Sequence, residues 1–329
     1  MHTAVRMKQR FERVCGWLKQ SNQMRVGPSE VLLEVTSHCN LRCPNCRRSE
    51  FITQPMHMDR DVCLSILDRC GNDVEMVFLF GWGEPFLWPH LPDAINRCRS
   101  HGITTDVTTN AAFPYSLAAQ AVMEAGPDLL VIAMDSHIPE IYEKYRLGAR
   151  FDDVVRTGRE LIGAAREAGK GTKVVMQMIR WPEMHHRDAE YRKFVRSLNP
   201  DGISVRRCTV ADRPENSIAS SLRRRPCPVL WHGPAYIRAD ATVFPCCTLD
   251  RLPLGSLREH SLDELWNNDT MRGLRQLHRD VSFDSLPECV GCYHTSESGY
   301  PAFYALAGCM LNGGVARRWM YRIDRMLAG

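Results

Sequence analysis

Apolar and polar positions along the first two thirds of the chain switch repeatedly between two periods. Short runs rich in Val, Ile, Leu and Thr fall at 31–36, 76–80, 104–109, 129–134, 173–179 and 203–206, and such runs bounded by turn residues predict strands. Between them apolar residues recur at helical spacing over 59–70, 91–101, 116–125, 151–168 and 188–198. Asp59 and Asp188 stand where helix N-caps belong, and Gly71, Gly102, Gly126 and Gly169 stand where helices end. Strands alternating with helices predict an α/β fold with a parallel sheet. Right-handed crossovers curl such a sheet toward a partial (β/α)6 TIM-like barrel, with functional residues at the C-terminal strand ends.

The pattern changes after Arg207. Residues 211–228 are polar, hold Arg223, Arg224 and Arg225, and read as a linker or loop. A hairpin over 235–245, a helical segment over 262–277 and a cysteine-containing loop over 287–294 predict a small α+β module. Residues 303–327 form an Arg-rich amphipathic pattern broken by glycines. The expected division is a helical extension at 1–30, a barrel at 31–212, the α+β module at 213–298 and a helical tail at 299–329.

Composition narrows the class. With 329 residues and 44% hydrophobic content, the chain is neither disordered nor fibrous. No stretch approaches the roughly 18 apolar residues that span a bilayer, and the charged start lacks the apolar centre of a signal peptide, so a cytoplasmic protein away from membranes is expected. A net charge of +4 is too small to imply nucleic acid. The 14 cysteines are the informative count, because in a reducing compartment thiols serve metals or catalysis rather than a disulfide framework.

Cys39, Cys43 and Cys46 follow the first strand as C-x3-C-x2-C. Three clustered thiolates leave one iron of a four-iron cluster open, which implies chemistry. Structural zinc is the alternative, but His38 would point away from Cys39 if strand geometry continues. Together with Gly81-Trp82-Gly83-Glu84-Pro85 after the second strand and Thr109-Asn110 ending the third, the triplet resembles the radical S-adenosylmethionine (SAM) enzymes.

The resemblance implies a [4Fe–4S] cluster on Cys39, Cys43 and Cys46 whose fourth iron is chelated by the amino and carboxylate groups of SAM. It implies that the turn at Gly81, Trp82, Gly83, Glu84 and Pro85 binds the SAM amino group. Glycines let carbonyls approach an ammonium closely, and Glu84 can offset its charge. Asn110 belongs to the same site. Asp135 and Ser136 match the ribose contact, with a helix cap for the segment starting at Pro139 as the alternative. Arg146 matches an Arg near the SAM carboxylate, with a solvated surface Arg as the alternative. Asn45 departs from the family, which has an aromatic residue there beside the adenine; an amide can hydrogen-bond the base instead.

Cys227, Cys246, Cys289 and Cys292 supply four thiolates, enough to close a cluster completely. They resemble the twitch module, a shortened SPASM extension with a second, auxiliary [4Fe–4S] cluster. Residues 240–246 match its hairpin, with Ala241 where glycine is common, and 287–292 match its closing pair. Cys247 competes with Cys246 as ligand, and a zinc knuckle is the alternative. Cys15, Cys63, Cys70, Cys98, Cys208 and Cys309 lack ligand spacing and read as small buried hydrophobes. Cys208, at the expected barrel mouth, is also a candidate hydrogen-atom donor.

The implied activity is reductive cleavage of SAM to a 5′-deoxyadenosyl radical and hydrogen abstraction from substrate, with the auxiliary cluster taking up the remaining electron. Size and cysteine layout resemble the 2-deoxy-scyllo-inosamine dehydrogenases within the family. Only residues 1–30 precede the first strand, which favours a small sugar or aminocyclitol-like substrate over the peptides of maturases carrying a recognition domain. Peptide modification, epimerisation and decarboxylation are the alternatives, and an iron–sulfur redox or assembly protein is the non-enzyme one. An electron donor such as flavodoxin or ferredoxin is implied. Arg206, Arg207 and Arg223–Arg225 are candidates for an anionic group on the substrate, and Arg180, His185 and His186 are candidate polar groups at the mouth.

Overall fold

The computed structural model describes residues 2–70, 73–207, 226–249, 251–290 and 292. Cys208, Arg223–Arg225, Cys309 and the expected tail at 299–329 lie outside the described residues. A helix at His2–Leu18 leads into β1 (Glu30–Leu33), β2 (Met76–Leu79), β3 (Thr104–Thr109), β4 (Leu129–Ala133), β5 (Lys173–Arg180) and β6 (Gly202–Arg207). These six strands are parallel and hydrogen-bonded in chain order. The principal crossover helices are Arg60–Cys70, Leu91–Ser100, Leu117–Ala125, Phe151–Glu167 and Asp188–Ser197.

The caps explain most of the boundaries. The Asp59 carboxylate accepts from Val62 N at 3.0 Å. Ser116 caps Leu117–Ala125 by accepting from Ala119 N, and Gly126 ends that helix at φ +68. Asp188 does not cap its helix. It is the first helical residue, after Arg187, and its carboxylate is held by Arg180 at 3.0 Å.

The C-terminal module is not a separate layer. β7 (Ala235–Ile237) pairs in parallel with β1, and β8 (Thr242–Phe244) and β9 (Gly255–Ser256) follow antiparallel. One nine-stranded sheet results, in the order β6-β5-β4-β3-β2-β1-β7-β8-β9. Ala241, in the β7–β8 turn, adopts φ +73, the left-handed region that glycine favours. The expected helix over 262–277 is two helices, Leu262–Trp266 and Asp269–Arg279. The break arises because Asn268 caps the second by accepting from Met271 N at 2.9 Å.

Alternation sorts the strand residues onto two faces. Val31, Leu33, Val77, Val107, Ile132, Met176 and Ile237 face the main core beneath the helices. The other face carries Leu32, Met76, Phe78, Tyr236 and Phe244 in one apolar cluster and Leu129, Val131 and Val175 in another. No helix among the described residues is long and apolar enough to cross a membrane.

Buried arginine ties the module to the N-terminal segment. Arg275 donates to the carbonyls of Leu230 (2.8 Å), Asn22 (3.0 Å) and Trp266 (2.8 Å), and burial pulls its guanidinium down to about 9. Arg275→Met strands three acceptors, two of them buried, and is expected to cost about 3 kcal/mol, read from denaturant unfolding of the metal-free protein. An unchanged unfolding midpoint would refute this anchoring role.

Candidate functional site

The first cysteine group lies on a loop pinned at both ends. Beyond β1, Ser37 N donates to Met56 O at 2.9 Å, Met58 N donates to Val35 O at 2.9 Å, and Thr36 forms an antiparallel bridge with His57. Within the loop Cys46 N donates to Cys43 O at 3.1 Å and Arg42 N to Leu147 O at 2.9 Å. Cys39, Cys43 and Cys46 are all partly exposed; Cys39 feels the field of Cys43 and Cys46, and Cys43 that of Cys46. Burial pushes the Cys39 and Cys43 thiols up, so their ionisation calls for a cationic partner such as a metal.

The turn after β2 packs directly on this loop. A Cβ on Gly83 would lie 2.1 Å from Thr36 O and 2.7 Å from His38 O, and one on Gly81 would lie 2.7 Å from the Glu34 side chain. Only glycine permits these approaches. Glu84 N donates to His38 O at 2.8 Å. The Glu84 carboxylate accepts from Thr109 Oγ1 (2.8 Å), Asn110 N (2.7 Å) and Phe86 N (3.2 Å), while burial pushes it up to about 7. Both its oxygens are committed to the protein. It clamps the end of β3 to the turn and starts the short helix at Pro85, where the sequence suggested a counter-charge for an ammonium.

Asn110 joins β3 to the cysteine loop. Its Nδ2 donates to Asn40 Oδ1 at 3.0 Å and lies 3.8 Å from Cys39 Sγ, while Oδ1 accepts from Ala112 N at 2.8 Å. Arg146 is not a solvated surface residue: its Nε donates to Asp135 Oδ2 at 2.7 Å, and the charge of its guanidinium favours the Cys43 thiolate. Burial opposes the Arg146 charge, but Asp135 more than offsets it. Asp135, 1% exposed, uses its other oxygen to accept from Ile179 N at 3.0 Å, and so caps no helix. The local turn before Pro139 is made by Ser136, whose Oγ accepts from Ile138 N at 2.9 Å.

Glu34 is a residue that sequence reasoning passed over. At the end of β1, 1% exposed, its Oε2 accepts from Trp82 N (2.8 Å) and from Tyr236 Oη (2.7 Å). It therefore joins β1, the glycine turn and β7. A carboxylate inside the apolar run Val31-Leu32-Leu33-Glu34-Val35 was the available signal.

The second cysteine group surrounds a cavity of about 80 Å³ lined by Cys227, Cys246, Cys247, Cys289 and Cys292, with apolar walls at Leu230 and Leu249. Cys227 feels Cys292, Cys246 and Cys289, and burial raises its thiol well above the usual range. Cys247 is exposed and Cys246 partly so. Among the described residues no three His, Cys, Asp or Glu side chains converge on a single-ion geometry. Thiols spread around a cavity fit a multinuclear iron–sulfur cluster, whose sulfur ligands stand apart, better than one zinc ion.

Of the remaining candidates, Arg180 is engaged with Asp188. Arg206 lies on the face opposite the helix-packed Ile203 and Val205, with Nε donating to Ser204 Oγ at 3.1 Å.

Comparison with known proteins bears on both groups. Residues 33–190 match the model of the radical SAM superfamily, and residues 227–293 match the SPASM iron–sulfur cluster-binding domain. A tungsten-containing aldehyde ferredoxin oxidoreductase cofactor-modifying protein of Pyrococcus furiosus is 31% identical over 107 residues, 32% of this chain and 30% of that one. The chain thus matches about a third of that relative's length. Streptococcus suis SuiB, solved with precursor peptide SuiA, superposes with a TM-score of 0.61 at 15% identity over 79% of this chain and 69% of that one. BtrN, solved with AdoMet and 2-DOIA, superposes with a TM-score of 0.53 at 17% identity over 81% and 93%. At these identities the structures share the fold.

Gly83→Ala must drive Thr36 and His38 away and so disturb the loop that follows. The variant is expected to lose most of the iron bound at Cys39, Cys43 and Cys46, read as iron and sulfide per chain. Gly163→Ala, whose added Cβ meets nothing within 4 Å, should lose none.

Proposed function

The chain belongs to the radical SAM superfamily and carries a SPASM region, and from that premise we propose that it is an oxidoreductase dehydrogenating a small, anionic, sugar- or aminocyclitol-like substrate. Its cofactors are a SAM-binding [4Fe–4S] cluster, SAM and an auxiliary iron–sulfur cluster. When bound, they supply a 5′-deoxyadenosyl radical that can remove a hydrogen atom from an unactivated carbon, and an acceptor for the electron left on the substrate.

The chain's own residues bind and orient. Cys39, Cys43 and Cys46 hold the open cluster; Cys227, Cys246, Cys289 and Cys292 hold the closed one, with exposed Cys247 left out. The carbonyls of Gly81, Trp82 and Gly83 receive the SAM ammonium, and Pro85 and Glu84 fix the turn's exit. Arg146, held charged by Asp135, faces the SAM carboxylate beside Cys43. Asp135 and Ser136 offer their remaining lone pairs to the ribose, and Asn110 orients the loop at Cys39. An electron donor of the flavodoxin or ferredoxin kind would supply the electron to the cluster held by Cys39, Cys43 and Cys46.

The observation that carries the reading is the continuity of the sheet. The triplet leaves the end of β1, Cys246 leaves the end of β8, and β7 between them is hydrogen-bonded to β1 with Val31, Leu32 and Leu33 opposite Ala235, Tyr236 and Ile237. Because β8 runs antiparallel to β7, the two thiol groups leave opposite ends of one sheet, and the proposed substrate occupies the face that runs between those ends. That face is not uniformly apolar. Strand register puts Gln177 opposite Ser204 and Ile179 opposite Arg206, next to Val131 and Val175. Arg206 beside the hydroxyl of Ser204 and the amide of Gln177 suits an anionic polyol better than an apolar side chain, with the carboxylate of Asp106 on the same face, opposite Phe78 and Leu129.

With a substrate deuterated at the reacting carbon, deuterium is expected in 5′-deoxyadenosine, with a product two hydrogens poorer. A product at the substrate's oxidation level would overturn dehydrogenation. Arg206→Met should raise KM for an anionic substrate roughly tenfold, about one charge-assisted hydrogen bond, with kcat little changed; an unchanged KM would remove Arg206 from the substrate site.

A further inference from the structure

One polar atom of the residues walling the auxiliary cavity has no hydrogen-bond partner among the described residues: Nε2 of His278. His278 lies in the last turn of the helix Asp269–Arg279 and is 0% exposed. Its ring stacks on Phe283, with centroids 4.4 Å apart and planes inclined by 15°. The other ring nitrogen, Nδ1, accepts from the backbone N–H of Cys227 at 3.3 Å. A backbone amide can only donate, so Nδ1 carries no proton and the proton of the neutral ring sits on Nε2. The stacking on Phe283 and the bond to Cys227 fix the ring plane and its tautomer together.

The fold thus holds a buried N–H donor, with no acceptor among the described residues, on a side chain that lines a cavity whose other polar lining is chiefly thiol. Native structures rarely leave such a donor unsatisfied, and one that persists points to a group that arrives later. The acceptors that an iron–sulfur cluster brings to this cavity are its sulfides and the cysteine sulfurs.

We propose that His278 Nε2–H donates a hydrogen bond to a sulfur of the auxiliary cluster and thereby sets its reduction potential. The inference rests on the reading of this cavity as an iron–sulfur site. His278 is a positioning residue here and not a ligand, because four cysteines already close the cluster. A hydrogen bond to cluster sulfur stabilises the reduced state, which carries one more negative charge, and so raises the potential. The residue makes the cluster a better acceptor for the electron left on substrate. Because Nδ1 is tied to the Cys227 amide, the donor and one ligand move as a unit.

The test uses the full-length Cys39→Ala, Cys43→Ala, Cys46→Ala protein, so that the auxiliary cluster alone is present, grown with [15N]histidine and examined in the reduced state by pulsed EPR. A nitrogen coupling that changes with the histidine label and vanishes in His278→Phe supports the proposal. In redox titrations His278→Phe should shift the cluster to lower potential, and His278→Gln, whose amide can both accept from Cys227 N–H and donate to sulfur, should restore much of the difference. A four-iron signal indifferent to the label, or an unchanged potential in His278→Phe, overturns the proposal while leaving the cluster in place. Zinc, or no reducible iron, overturns the cluster reading itself. If the triple variant does not fold, the same label in the holoenzyme, compared with His278→Gln, gives the same two outcomes.

Discussion

The mouth of the sheet depends on how closely the turn at Gly81–Pro85 approaches the backbone beyond β1. At Gly83 the separation leaves no room for a methyl group against Thr36 O, and at Gly81 the side chain of Glu34 fills the space that a Cβ would need. That contact aligns the two segments that must act together, the cysteine loop and the turn. It also explains why Glu34 is buried as a carboxylate. Isolated, it would be costly to bury; here its Oε2 receives the Trp82 amide and the Tyr236 hydroxyl. Burial still pushes it above the usual carboxylate range, opposed by those bonds and by Arg238. Through Tyr236 the same oxygen reaches the first strand of the SPASM region, so the two cysteine groups share one mechanical reference.

A second set of charges surrounds the cysteines from the other side. Arg146 spans Asp135 and Cys43, and Glu84 ties the turn to Thr109 and Asn110. Each is a buried or half-buried charge whose hydrogen-bonding capacity is largely met within the protein, as burial in a low-dielectric site demands. The division of labour between the faces follows. One face is closed by helices over Val, Leu and Ile, and the other carries Gln177, Ser204 and Arg206 among its apolar residues.

Much of this architecture was legible from local pattern. The six parallel strands, their helices and both cysteine groups follow from periodicity and spacing, because they depend on residues near in sequence. What escaped depends on residues far apart. β1 ends at Leu33, short of the run's end at Thr36, because after the last ladder bond to β7, Glu34 N to Ile237 O, the chain pairs with residues 56–58 instead: Met58 N takes Val35 O and Ser37 N takes Met56 O. Asp188 looks like a cap but is captured by Arg180, eight positions earlier. Nothing local says that the β7–β8 hairpin adds to the edge of β1, or that Arg275 crosses to the carbonyl of Asn22. His278 carries no motif at all. Its meaning comes from the Cys227 amide, 51 positions away.

The central claim is that one sheet carries two clusters of different kinds, an open one at Cys39, Cys43 and Cys46 and a closed one at Cys227, Cys246, Cys289 and Cys292. Mössbauer spectroscopy of the reconstituted, 57Fe-enriched chain with and without SAM tests this most directly. The account predicts about eight irons per chain, with SAM altering the spectrum of a single iron site and leaving the rest unchanged. A chain that binds only four irons, or one whose spectrum is indifferent to SAM, would contradict it.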